Sequence, residues 1–92
     1  MFCRGRDGQA AGMPTFLLEH RHEAGECRAS FAAWNGFDSP LRRTPTLGSC
    51  AQGGHRLFWR VQAGDPEAAL ALLPAYVAQR TNAIEVSDVL IP

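Results

Sequence analysis

The sequence predicts an α+β domain whose elements run in the order β-α-β-β-α-β. Two stretches alternate apolar and polar residues as half-buried strands do, "PTFLLEHRH" over residues 14–22 and "HRLFWRVQA" over 55–63. Two others carry helix-start and helix-stop signals, "EAGECRASFAAWNG" and "GDPEAALALLPAYVAQR". A further apolar stretch, "NAIEVSDVLIP", ends the chain as a strand, and "TLGSCAQ" supplies a weaker one between the halves.

In the first strand Phe16, Leu18, His20 and His22 share one face, and Thr15, Leu17, Glu19 and Arg21 the other. Adjacent leucines at 17 and 18 leave open which face is buried. The helix that follows has its acids early, near the positive end of its dipole, and Gly36 suits a left-handed stop. Cys27, Phe31 and Trp34 are spaced to share one helical face. "FDSPLRRTP" is a loop by its prolines and its "DSP". In the third strand His55, Leu57, Trp59 and Val61 alternate with Arg56, Phe58, Arg60 and Gln62.

The second helix opens on Asp65 as a cap, Pro66 preset for the first turn and Glu67 to complement the dipole. Ala69, Leu73, Tyr76 and Val77 line its buried side. Pro74 removes a helical hydrogen bond and crowds the Leu70 carbonyl, which predicts a kink or an interruption. In the last strand Ile84 and Val86 share one parity and Val89 and Ile91 the other, so a bulge is expected at Ser87–Asp88.

Ninety-two residues make one domain. Residues 1–12, which include Cys3, are expected to be a disordered extension with Met13 as an alternative start, and 13–92 to be the domain. All nine basic residues are arginine and nine acids balance them, which leaves no strong field for nucleic acid or an anionic membrane. No apolar run approaches the roughly 20 residues of a membrane span, and the start lacks the apolar segment of a signal peptide. Three cysteines at these spacings match no disulfide framework, so reduced thiols in the cytoplasm are expected. "GGH" is too short for a phosphate loop, which excludes a nucleotide cofactor of that type, and neither Ser49 nor Cys50 has the setting of a nucleophile elbow.

For this order of elements in about 80 residues the ferredoxin-like fold is the usual solution. It implies a four-stranded antiparallel sheet in the order 4-1-3-2 with two helices on one face. The uncovered face predicts a homodimer. This topology brings His20 and His22 at the end of the first strand beside His55 at the start of the third. Cys50 and Cys27 reach the same edge. A two-residue turn at Gly53–Gly54 would pair Gln52 with His55 and Cys50 with Leu57, setting Cys50 and His55 on one face. Imidazole and thiolate suit zinc, nickel or copper better than a hard ion. The expected ligands are His20, His22, Cys50 and His55. Cys27 is a secondary candidate, because Phe31 and Trp34 on its face imply burial. The competing reading is plain packing, with His20 under the helices, His22 and His55 solvated, and both cysteines as small core residues.

Over "HRLFWRVQAGDPEAALALLPAYVAQRTNAIEVSDV" the chain resembles small bacterial ferredoxin-like domains of the dimeric α+β barrel type. That group includes uncharacterised stand-alone domains and small nickel-binding proteins. The resemblance covers residues 14–92 as topology and 55–89 as sequence pattern, and it carries no ligand residue across. The same architecture is similar to muconolactone isomerases and cofactor-free monooxygenases, which implies a cavity between sheet and helices with His20 as general base.

The expectation is therefore a cytoplasmic, homodimeric, non-catalytic domain that binds a small ligand, most concretely a transition metal. An isomerase or monooxygenase type of enzyme is the second reading, and a structural or partner-binding module the third. A pocket beside His20 and away from Cys50 would favour the enzyme.

Overall fold

The computed structural model describes residues 13–92, so the extension expected at residues 1–12, with Cys3, lies outside the described residues. The first strand, β1 (Thr15–Arg21), is the centre of the architecture. It pairs antiparallel with β3 (Arg56–Gln62) on one side and β4 (Thr81–Val86) on the other. A two-residue β2 (Leu47–Gly48) adds to the far side of β3. The sheet order β2-β3-β1-β4 is the expected one, read from the opposite edge.

Register decides which residues meet. Leu18 stands opposite Trp59 and Ala83, and His20 opposite Leu57 and Thr81. Phe16, Leu18 and His20 are buried on the covered face, which resolves the ambiguity of Leu17 and Leu18 in favour of Leu18. Leu57, Trp59 and Val61 join them from β3. Full burial of each large apolar side chain contributes about 1.5–3 kcal/mol, and a thin core in a short chain depends on every one.

The helices that cover this face are short. A 3-10 turn (Ala24–Glu26) leads into α1 (Cys27–Ala32), and the chain then turns through Gly36, whose φ of +76° is the left-handed stop its sequence context predicts. The segment after β3 becomes two helices, α2 (Pro66–Leu70) and α3 (Ala75–Ala78). Asp65 caps α2, its Oδ1 accepting from the Ala68 N–H at 2.7 Å. Pro74 interrupts the helix as expected: its ψ of 152° is extended, and its carbonyl accepts from the Ala78 N–H at 2.8 Å to open α3. The break lets Ala69, Leu73 and Val77 all reach the sheet, while Tyr76 is only half-buried.

β4 corrects one expectation. It stops at Val86 with no bulge, and residues 87–92 lie outside the sheet. Val86 pairs with Thr15, the first residue of β1, and Pro14 before it turns its backbone to the other side, its carbonyl accepting from the Ala63 N–H at 3.1 Å, so β4 ends where its partner strand begins. The opposite face of the sheet mixes Leu17, Phe58 and Ile84 with Glu19, Arg56 and Arg60, and an Arg56–Glu19 ion pair of 3.3 Å crosses it. Among the described residues no helix is long and apolar enough to cross a membrane.

Candidate metal centre

Three segments converge at the end of the sheet where β1 finishes and β3 begins. His22 lies one residue past β1, and its N–H donates to the His55 carbonyl at 3.1 Å. Cys27 is the first residue of α1. Cys50 opens a 3-10 turn (Cys50–Gln52), and His55 immediately precedes β3.

The stretch "SCAQGGH" builds a closed loop rather than the expected two-residue turn. Gly48, not Cys50, pairs with Leu57, so Cys50 has left the sheet. Ser49 ties the loop shut. Its N–H donates to the Arg56 carbonyl at 2.9 Å, its carbonyl accepts from Gly54 at 2.8 Å, and its Oγ accepts from the Arg56 N–H at 3.1 Å. Each glycine has its own reason. Gly53 ends the turn at φ +86°, where a side chain is strained. At Gly54 a Cβ would come within 2.9 Å of the Ser49 Cβ, so Ser49 or the loop backbone would have to shift to admit a side chain. His55 then takes φ +52°, a left-handed conformation that a non-glycine residue adopts only when its surroundings hold it there.

Cys27 is fixed by its predecessor. Glu26 Oε1 accepts from the Glu23 N–H at 2.9 Å, and Oε2 accepts from Arg80 Nη2 at 3.2 Å and from Tyr76 Oη at 3.4 Å. The Arg80 guanidinium stacks 3.7 Å above the Tyr76 ring. These contacts hold the Glu26 carboxyl below its ordinary value, the Glu23 N–H first and Arg80 next. The start of α1 is thus tied to α3.

The result is a group of four donors, His22, Cys27, Cys50 and His55, whose ligand atoms all lie within 4.8 Å of one another. Cys27 Sγ is 3.3 Å from His22 Nε2 and 3.2 Å from His55 Nδ1, and Cys50 Sγ is 3.7 Å from His22 Nε2. A tetrahedral ion with ordinary Zn–S and Zn–N bonds would set its ligand atoms about 3.3–3.8 Å apart. The three sulfur–nitrogen distances lie at or close to that range, and the whole group, spread over 4.8 Å, would draw in around an ion. His22 is buried and the other three donors are half-buried.

His20 stands behind this group, not in it. It is fully buried, with Nε2 2.9 Å from His22 Nδ1 and Nδ1 3.3 Å from the Val77 carbonyl. The helices cover it because it lies in line with Phe16 and Leu18. Burial lowers its pKa, although the Val77 carbonyl pulls the other way. Burial also lowers His22, with the His55 charge adding to the effect, so both rings are neutral at pH 7. A neutral His22 with Nε2 unprotonated faces the thiols as a ligand must. Its Nδ1–H then donates to His20, whose Nδ1–H donates to Val77.

Sequence reasoning ranked Cys27 last because Phe31 and Trp34 implied a buried helical face. Phe31 is in fact 54% exposed, and its ring lies edge-on to His22 at 6.4 Å between centroids. Position at the start of the helix, at the same sheet edge as the histidines, was the usable signal. The Glu26 clamp left no such signal, because it spans more than 50 residues of chain. An open cavity beside the group is lined by Cys50 and not by His20. The arrangement supplies two imidazoles and two thiols to one point. No protein family, curated protein or solved structure matches the chain.

Proposed function

We propose that the chain is a small metal-binding domain holding one transition-metal ion, zinc by its ligand set, through His22, Cys27, Cys50 and His55. The observation that carries this reading is the mutual spacing of the four donors, which suits a tetrahedral ion and comes from three separate chain segments. Two thiolates and two imidazoles favour zinc over the harder divalent ions, and a fourfold protein ligand set is the mark of a structural or storage site rather than a catalytic one. Free Cys27 and Cys50 belong in a reducing compartment, consistent with the cytoplasm. The strand order and one-sided helices support a ferredoxin-like assignment. Exposed Leu47 and Ile84 on the uncovered side support a homodimer through that face.

The dimeric-barrel enzyme is disfavoured by the same geometry. His20 is enclosed, and a base there would have no open route to substrate.

The test is metal content of untagged protein, followed by cobalt substitution. One equivalent of zinc is expected, and cobalt should give the intense visible bands and the thiolate charge-transfer band of a tetrahedral site with two sulfurs. Cys27→Ser should weaken the charge-transfer band. Absence of tight binding by zinc, nickel or copper would overturn the reading. Preferential binding of nickel in square-planar form would reassign the ion.

A further inference from the structure

We infer that the cavity beside the metal centre is a second binding site, for a small organic anion with an apolar or aromatic body. The cavity is about 420 Å³, within the range of small-molecule pockets. Its floor is Leu57 and Trp59 of β3, and Trp34 forms a wall, with the two indole rings 5.8 Å apart. Arg42 and Arg43 stand on the lining, and no acidic residue does.

Charge selects the occupant. In a chain with equal acids and bases, this wall carries two cations and no counter-charge. Among the described residues neither arginine has a carboxylate partner. Arg42 is nonetheless held in place, its Nη1 donating to the Phe37 carbonyl at 3.1 Å, which leaves other guanidinium donors available. Arg43 has φ +63°, so the loop keeps a non-glycine residue in a left-handed conformation at the cavity. A guanidinium pairs in two-pronged fashion with a carboxylate, and indoles offer flat apolar area to the rest of the molecule. A neutral apolar guest would leave the arginines unused, and a cation would be repelled.

The site does not depend on a metal, although Cys50 lines the cavity and is also one of the four donors.

The chain has two tryptophans and both border the cavity, so their indole N–H signals report directly on it. The probe is 1-naphthoate, with 1-naphthalenemethanol as the uncharged comparison, followed in proton–nitrogen correlation spectra of the full chain with and without a chelator. Naphthoate should shift both indole signals saturably with a Kd of about 1 mM or below, the scale set by its size. The alcohol should bind at least about fivefold more weakly, and Arg43→Gln should remove most of that difference, since one charge-assisted contact is worth about tenfold. Arg43 is exposed, so that variant should stay folded, with both indole signals still resolved. Equal binding of acid and alcohol, or no saturable shift, would overturn the assignment. So would indole signals that move on diluting the protein alone, because a second copy would then fill the cavity. Binding that persists in chelator while metal titrations fail would leave this site standing and overturn the metal centre.

Discussion

His20 Nε2 sits 2.9 Å from His22 Nδ1, so a fully buried imidazole backs one that faces two thiols. The relay continues from His20 Nδ1 to the Val77 carbonyl at 3.3 Å, and Thr81 Oγ1 donates to that same carbonyl at 2.7 Å. Each ring therefore has one tautomer that satisfies the whole chain. That tautomer leaves His22 Nε2 free of a proton. A partner that orients a ligating imidazole and raises its basicity is typically worth 10–100-fold in metal affinity.

Replacing His20 with leucine should accordingly lower zinc affinity by roughly 10–100-fold while one equivalent still binds. Competition against a chromophoric chelator measures the affinity, and elemental analysis the stoichiometry. Loss of stoichiometric binding would make His20 a ligand. An unchanged affinity would remove it from the site altogether.

The loop makes a separate prediction, because its glycines hold no metal themselves. Gly54→Ala brings a Cβ against Ser49, which receives or donates three of the hydrogen bonds that close the loop. Cys50 and His55 lie on opposite sides of that closure. The variant should bind zinc at least about tenfold more weakly with all four donors intact, the usual scale for lost support around a ligand. Gly53→Ala forces an alanine to φ +86° and should cost about 1–2 kcal/mol of stability in urea unfolding. If Gly54→Ala retains full affinity, the loop tolerates the side chain and does not set the ligand positions.

Much of this was legible before the structure. Alternation identified β1 and β3, Asp65-Pro66 placed the start of α2, and Pro74 announced the break before α3. The convergence of histidines and cysteines at one sheet edge followed from strand order alone. What failed did so for local reasons. Parity cannot tell a donor of the four-residue group from the residue behind it, since His20 and His22 share a face and differ only in where β1 ends. A Gly-Gly pair signals a tight turn, but nothing in it reveals that Ser49 would recruit the preceding residues into a 3-10 turn. The missing bulge depended on where the partner strand β1 begins, which the residues of β4 do not reveal.

Acid should act on this protein in two ways that can be separated. Zinc binding must displace the thiol protons, and burial, with Cys27 nearby, raises the Cys50 pKa. Affinity should therefore fall steadily from pH 8 to pH 6, by about 10–100-fold per unit for one to two protons. The metal-free protein has its own dependence. His20 and His22 are lowered below the ordinary histidine value, chiefly by burial, so the unfolded chain takes up protons first as pH drops. The unfolded state then binds more protons than the folded one, and stability falls. It should be flat above about pH 6.5, decline below it, and level off once the folded rings titrate. Urea midpoints in chelator at pH 7.5 and 5.5 check this, and His20→Leu should reduce the decline. A midpoint that rises on acidification would mean the rings are charged in the folded state.

Ser30 offers a prediction with no bearing on the metal. It lies in α1, is 1% exposed, and its Oγ is a buried side-chain oxygen with no hydrogen-bond partner among the described residues. An unsatisfied buried hydroxyl costs about 1–3 kcal/mol, and alanine is also the better helix former. Ser30→Ala removes one oxygen and leaves almost no space behind. It should stabilise the domain by about 1 kcal/mol, which in a chain of this size raises the thermal midpoint by about 4–8 °C. Zinc affinity should stay within about twofold, since Ser30 is not one of the four donors. A lower midpoint would show that a buried water satisfies the hydroxyl, and the cost of removing that water would then outweigh the gain in helix propensity.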